Sequence, residues 1–258
     1  MKKSASARAP ALLAWTVMVS LLTGCGGPDR SADLPPVPPR NPARLIEDEP
    51  YSPEIDAANF VHRIDNPYFP LIPGTTRLYI GESDGEQETE KFVVTDRTKT
   101  ILGISTTVVR DQVFVNGELA EDTFDWFAQD RFGNVWYFGE SSRDIEGGKV
   151  VSTAGSWEAG VDGAQPGIVM LAEPEVDDAY RQEFYEGEAE DVAKIVALDE
   201  TIDVPFGTFS SVLVTEDRNP LEPGILERKY YAPGVGVVSE ELIEGAQGFL
   251  ELVDVRKD

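Results

Sequence analysis

The chain reads as a mainly β protein: an antiparallel curved sheet, a half-barrel or a two-sheet sandwich, with one short N-terminal helix. Three observations lead there. From Thr75 onward, runs rich in Val, Ile, Thr, Tyr and Phe alternate with Gly, Asp and Asn clusters about every 8–12 residues, the spacing of short antiparallel strands. Asn116-Gly117, set between Val115 and Glu118, is a strong two-residue hairpin signal. Nothing in the chain shows the strand-then-long-helix rhythm that a parallel sheet needs.

The elements follow in order. Ser52-Pro53-Glu54 has the form of a helix start, with Ser as cap, Pro in the first helical position and Glu in the first turn. Ile55, Ala58, Phe60 and Val61 supply an apolar side, and Asn66-Pro67 must end the segment, so a short helix is expected over 53–62. Strands are expected over 76–81, 88–96, 101–115, 123–129, 135–138, 149–156, 180–185, 189–198, 208–215, 226–232, 236–242 and 249–255. Asp130-Arg131-Phe132-Gly133-Asn134 joins two aromatic-rich strands as a longer hairpin loop. The apolar spacing of 189–198 also suits a helix, but Lys194-Ile195-Val196-Ala197-Leu198 favours extended chain. Pro233-Gly234 and Gly207 mark turns.

Ahead of this domain lies an address. Lys2, Lys3 and Arg8 form a basic region, 11–22 is an apolar run of about 12 residues, and the uncharged stretch 9–24 is short of the roughly 20 residues of a membrane span. Leu22-Thr23-Gly24-Cys25 resembles the lipobox of bacterial lipoproteins. That resemblance implies cleavage after Gly24 and a diacylglycerol on the Cys25 thiol, usually joined by an N-acyl chain such as palmitate. Two or three chains at about 0.8 kcal/mol per buried methylene make a firm anchor. Gly26 stands where Asp would retain such a protein at the inner membrane, which points to the outer membrane if the cell has one. Gly26, Gly27, Pro28, Pro35, Pro36, Pro38, Pro39 and Pro42 give a semi-rigid tether. The expected organisation is a signal peptide over 1–24, the lipidated cysteine and tether over 25–52, and one β domain over 53–258.

Composition excludes more than it identifies. The formal charge is −25, and removing Lys2, Lys3 and Arg8 with the signal peptide takes it to −28. Such a field repels phosphate backbones, so no nucleic-acid partner is expected. It also repels anionic headgroups, so the domain should stand off the membrane that its lipid holds. With Cys25 modified no disulfide can form within the chain. His62 is the single histidine, so a Ser-His-Asp set would have to use a residue beside the tether, and a zinc site lacks ligands. Neither a Gly-rich phosphate loop nor an EF-hand ladder is present.

Two sets of residues could carry chemistry. Among 47 acidic residues, Glu188, Glu190 and Asp191 cluster, as do Asp177 with Asp178 and Glu158 with Asp162. Calcium takes six to eight such oxygen ligands, and a carboxylate pair could run glycoside hydrolysis. An acidic chain also forms such clusters on a solvated face. The second set is aromatic: Trp126, Trp136 and Tyr137, with Phe127, Phe132 and Phe138, surround one expected hairpin, and Trp157 follows. In a strand Trp136 and Phe138 share one face and Tyr137 takes the other, which fits either a two-sided core or one face lining an apolar pocket.

At these residues the chain resembles a family of uncharacterised bacterial secreted proteins and lipoproteins. The resemblance rests on Asn66-Pro67-Tyr68-Phe69-Pro70-Leu71 with Pro73-Gly74-Thr75, Gly155-Ser156-Trp157-Glu158, Pro166-Gly167-Ile168-Val169-Met170, Tyr180-Arg181-Gln182-Glu183 and Tyr230-Tyr231-Ala232-Pro233-Gly234-Val235-Gly236. It implies no activity, so no site residues follow from it. The expectation is a lipid-anchored, non-enzymatic envelope protein that binds an apolar or amphiphilic ligand or docks to another envelope protein. The alternative is a carboxylate-dependent hydrolase or a calcium-dependent glycan binder.

Overall fold

The computed structural model describes residues 41–45 and 50–257. Cys25, the expected signal peptide and most of the tether lie outside them. A three-residue 3-10 turn, Ala57–Asn59, precedes β1 (Phe60–Val61). A first antiparallel meander runs through β2 (Thr75–Ser83), β3 (Glu86–Ile101), β4 (Ile104–Val115), β5 (Glu118–Asp130) and β6 (Val135–Ser141). Six short strands follow: β7 (Asp144–Glu146), β8 (Lys149–Ser152), β9 (Trp157–Glu158), β10 (Gln165–Met170), β11 (Ala179–Arg181) and β12 (Glu183–Phe184). A second meander comprises β13 (Val192–Val204), β14 (Gly207–Arg218), β15 (Leu226–Ala232), β16 (Gly236–Glu244) and β17 (Gly248–Lys257).

The two meanders join on both sides. The last strand lies beside the first long one: β17 pairs with β2 from Gly248↔Ser83 to Lys257↔Thr75. On the other side β10 pairs with β6 at Ile168↔Trp136 and with β12 at Pro166↔Glu183, while β11 pairs with β13 at Tyr180↔Ala193. Because β11 and β12 are nearly contiguous, Ala179 to Phe184 bridges the two free edges and the sheet becomes a nearly closed antiparallel barrel. Closure removes the open edges at which long strands would pair with other chains. Residues 43–45, within the stretch expected as tether, pack on this seam instead: Arg44 bridges to Tyr180, the Leu45 N–H donates to Ala179 O at 3.0 Å, and the Arg181 N–H donates to Ala43 O at 3.0 Å.

The turn chemistry explains the register. Asn116 and Gly117 both have positive φ, 52° and 82°, as the tight hairpin between β4 and β5 requires. The strand expected over 101–115 is in fact broken at its start. Leu102 and Gly103, at φ 50° and 79°, make a second two-residue turn that pairs Ile101 with Ile104. In the β5–β6 loop Asp130 accepts from Phe132 N, Asn134 N, Asn134 Nδ2 and Trp136 Nε1 at 2.8–3.0 Å.

The expected helix over 53–62 is absent. Asp56, not Ser52, caps a single turn by accepting from Ala58 N at 2.9 Å, and Phe60 and Val61 then pair with Asp130 and Gln129 of β5. A helix of some ten residues is marginal in water, and here the backbone finds ladder partners on β5 instead. The short strands β7, β9 and β10 also escaped the sequence reading; β10 carries Pro166 near its start, a residue that speaks against a strand.

The segment from Phe60 to Leu71 covers one face of the β5–β6 hairpin. The Phe60 ring meets Trp136 and Phe138 edge-on at centroid distances of 6.2 and 5.5 Å, and Ile64 and Leu71 are buried. Burial of such side chains contributes about 1.5–3 kcal/mol each. A second apolar cluster gathers Tyr79, Val212, Val214, Val238 and Leu252.

Candidate functional site

Strand alternation sends every second side chain to the inside of the barrel. On β2 these include Arg77 and Tyr79, on β3 Glu90 and Phe92, on β4 Asp111, on β5 Asp125 and Phe127, on β6 Tyr137, and on β15 Lys229 and Tyr231. On β16 a bulge opposite Tyr230 and Tyr231 shifts the alternation, so that Val237 and Glu240 face inward together. These side chains enclose a cavity of about 250 Å³.

One part of the wall is aromatic. The Phe127 and Tyr137 rings stack at 4.9 Å, the Trp157 ring meets Tyr137 edge-on at 5.4 Å, and Phe69 packs against both Phe127 and Tyr231. Phe69 arrives from the segment before β2, which Asn66 fastens by donating from Nδ2 to Gly133 O and Leu171 O. The Gly234 N–H reaches back to Pro67 O at 2.7 Å. Gly139 lets β9 lie flush on β6, since a Cβ there would sit 2.2 Å from Trp157 O. Segments distant in the chain thus converge on the cavity: Phe69 and Pro70, Val169, Gln182, Tyr231 and Gly236 all line it.

The rest of the wall is charged. Arg77 is 5% exposed, donates from Nη2 to Pro70 O at 2.7 Å, and holds its guanidinium 5.3 Å from the Phe92 centroid. Burial lowers its pKa. The Tyr137 hydroxyl is 2.7 Å from Asp125 Oδ1 and 3.1 Å from Glu140 Oε2. Lys229 pairs with Glu227 at 3.1 Å and approaches Asp217 at 3.6 Å. Burial works against that ammonium, but Glu227, Glu240 and Asp217 outweigh it and raise its pKa well above the usual lysine value.

Burial and mutual repulsion make the interior carboxyls hold protons. Burial, then neighbouring Asp111 and Glu240, push Glu90 well above the carboxylate range. Burial, with Glu121 adding, brings Asp111 up to about 7. Burial, then Asp111 and Glu140, raise Asp125 well above its ordinary value. Burial takes Glu140 to about 7, and Glu240 to about 8 despite Lys229. Beside the cavity, Trp157 Nε1 donates to Glu183 Oε2 at 2.8 Å, and burial followed by Asp191 raises Glu183 well above the usual range.

The residues singled out in the sequence part company here. Tyr137 lines the cavity and Trp157 braces it. Trp136 turns to the other face and donates to Asp130, and Trp126 lies under Lys99, whose Nζ is 3.2 Å from its ring centroid. Of the proposed calcium ligands, Asp191 faces Glu183, while Glu190 Oε1 accepts from Gly187 N at 2.9 Å within its own loop. Among the described residues no three His, Cys, Asp or Glu side chains converge to hold a metal ion. His62 is exposed. The sequence reading missed Glu90, Asp111, Asp125 and Glu240. A signal for them existed: each shares a strand face with apolar neighbours, as Glu90 does with Phe92 and Val94, and Asp125 with Phe127.

No family model and no curated protein matches the chain. Two solved structures are similar to it. One, from Bacteroides fragilis, is described as exported and as having a YmcC-like fold. It is 15% identical and covers 74% of this chain and 99% of its own, at a TM-score of 0.45. The other, described as a lipoprotein from Parabacteroides distasonis, is 13% identical and covers 73% of this chain and 98% of its own, at a TM-score of 0.39.

Proposed function

We propose that this chain is a lipid-anchored, extracytoplasmic protein of the cell envelope, held by a diacylglyceryl group on Cys25, and that its barrel binds a small amphiphilic ligand rather than catalysing a reaction. The lipobox supports the anchor. The cavity supports the ligand: about 250 Å³ of space where stacked aromatic rings meet buried charged groups. Ligand sites combine an apolar wall with a few polar groups that fix orientation, and this interior has both. A barrel that served only as a rigid spacer would gain nothing from gathering Glu90, Asp111, Asp125 and Glu240 inside, because taking carboxyls out of water costs stability.

The test is to purify the full chain in detergent from its own membranes, denature it, and identify the small molecules released by mass spectrometry. Val169→Trp, which fills the cavity from β10, serves as the blocked control, with its melting temperature measured to show that it folds. A compound released stoichiometrically by the native chain and absent from the folded blocked variant is the expected result. Equal release, or none, would count against the proposal.

A further inference from the structure

Two polar atoms in the cavity wall lack partners. Arg77, 5% exposed, makes no hydrogen bond from Nε, and Asp111 Oδ1 is buried without a hydrogen-bond partner, although the Glu90 carboxyl and the Gln112 backbone lie against the Asp111 side chain and favour its ionised form. Buried polar groups are nearly always satisfied, and one left open in a cavity wall asks for a ligand atom. One of these is a donor on a cation and the other an acceptor on an acid. Both line the same cavity.

Their placement is set by register. Arg77 of β2 pairs with Phe92 of β3, and Phe92 pairs with Asp111 of β4, so the three form one row across the wall. Two strand spacings put the outer Cα atoms about 10 Å apart, with the Phe92 ring between them as a floor. Gly236 lies against the guanidinium, where a Cβ would be in ordinary contact at 3.4 Å from Arg77 Cζ. Around Asp111 the wall is acidic. The lining carries Glu90, Asp111, Asp125 and Glu240 against Arg77 and Lys229, and Lys229 is already engaged by Glu227 and Asp217. A smaller pocket of about 70 Å³ shares Glu240 with the cavity and adds Glu82, Glu88 and Glu227, extending this acidity. The same lining carries Phe69, Phe127 and Val169, an apolar surface fit for an aliphatic group.

We propose that the cavity binds a small zwitterion of the amino-acid class, with its carboxylate on the Arg77 guanidinium, its ammonium on Asp111 and the carboxyls around it, and its side chain against Phe69, Phe127 and Val169. A carboxylate satisfies Arg77 Nε, and an ammonium offers three donors to a wall rich in acceptors. An anion alone would leave Asp111 open, and a cation alone would leave Arg77 open. This inference rests on the reading of the cavity as a ligand site.

The test uses the full chain in detergent and calorimetric titration with leucine, with 3-methylbutylamine, which lacks the carboxylate, and with 4-methylpentanoate, which lacks the ammonium. Each charge-assisted hydrogen bond lost should weaken binding at least tenfold, from about 1.5–3 kcal/mol per bond. Leucine is expected to bind best. Asp111→Asn should reduce leucine affinity at least tenfold and leave 4-methylpentanoate unchanged, and Arg77→Leu should spare the amine instead. Near-ultraviolet circular dichroism checks that both variants fold, and if Arg77→Leu does not, Asp111→Asn with the three ligands decides alone. An amine that binds as tightly as leucine, or a carboxylate that does, would overturn the zwitterion while leaving the cavity a ligand site. Failure of all three ligands, with a compound still released from the native chain, would overturn it too. Failure together with no released compound would sink the cavity reading itself.

Discussion

The Tyr137 hydroxyl donates to Asp125 Oδ1 at 2.7 Å inside the barrel, coupling an aromatic wall residue to a carboxyl that burial pushes well above its usual pKa. Removing the hydroxyl leaves that carboxyl without its donor. Tyr137→Phe should therefore cost about 1–3 kcal/mol in urea unfolding. The loss should be larger at pH 8 than at pH 5, because the hydroxyl bond favours the ionised form of Asp125, which gains as pH rises. A stability equal to that of the native chain at both pH values would show that the bond contributes nothing.

Stability should fall with rising pH. In the unfolded chain Asp and Glu titrate near 4. In the folded barrel Asp111 and Glu140 titrate at about 7 and Glu240 at about 8, so between these limits the folded state holds more protons. The contribution of these groups is complete below about pH 4 and is lost as pH rises through 7 to 8, at up to roughly 1.4 kcal/mol per pH unit for each group. Melting temperature should accordingly be higher at pH 5 than at pH 8. Glu240→Gln should flatten the slope, being neutral at every pH.

Asp130 organises the β5–β6 loop through four accepted hydrogen bonds, from Phe132 N, Asn134 N, Asn134 Nδ2 and Trp136 Nε1. Asp130→Ala orphans these donors and should cost about 3 kcal/mol, among the larger single-substitution effects. Trp136→Phe removes one bond and should cost about 1 kcal/mol beyond any packing loss. Chemical denaturation of the two variants measures the difference.

The anchor is open to a direct check. Cys25→Ser removes the thiol that would carry the lipid, and the folded barrel should move from the membrane to the soluble fraction. Continued membrane association of the variant would argue against lipidation.

Much of the fold was legible, and the reasons are local. Alternating β-branched and aromatic residues marked both meanders, and Asn116-Gly117 located a hairpin because only residues tolerant of positive φ make that turn. The Leu102-Gly103 turn was hidden because leucine rarely accepts φ of 50°. The helix expected over 53–62 failed because local capping signals do not register that β5 offers Phe60 and Val61 a ladder. Barrel closure was not legible at all, since β17 meets β2 across most of the chain and β11 and β12 are only three and two residues long. Around the cavity, Tyr137, which lines it, and Trp157, which packs on Tyr137, stood out in the sequence by their aromatic character. Glu90, Asp111, Asp125 and Glu240 were lost among 47 acidic residues, because composition favoured a solvated face and only apolar neighbours on the same strand, such as Phe92 for Glu90 and Phe127 for Asp125, set them apart.

Everything proposed for the interior depends on those carboxyls lying buried together. Carbon-13 chemical shifts of the Asp and Glu side-chain carboxyls, followed from pH 3 to 10 in the full chain, test this most directly. The expected result is a distinct group, including Asp111, Glu140 and Glu240, with midpoints of about 7 to 8, separate from the exposed carboxyls that titrate near 4. Titration of every carboxyl near 4 would contradict it, because it would mean that the acids face water and the cavity between them does not exist.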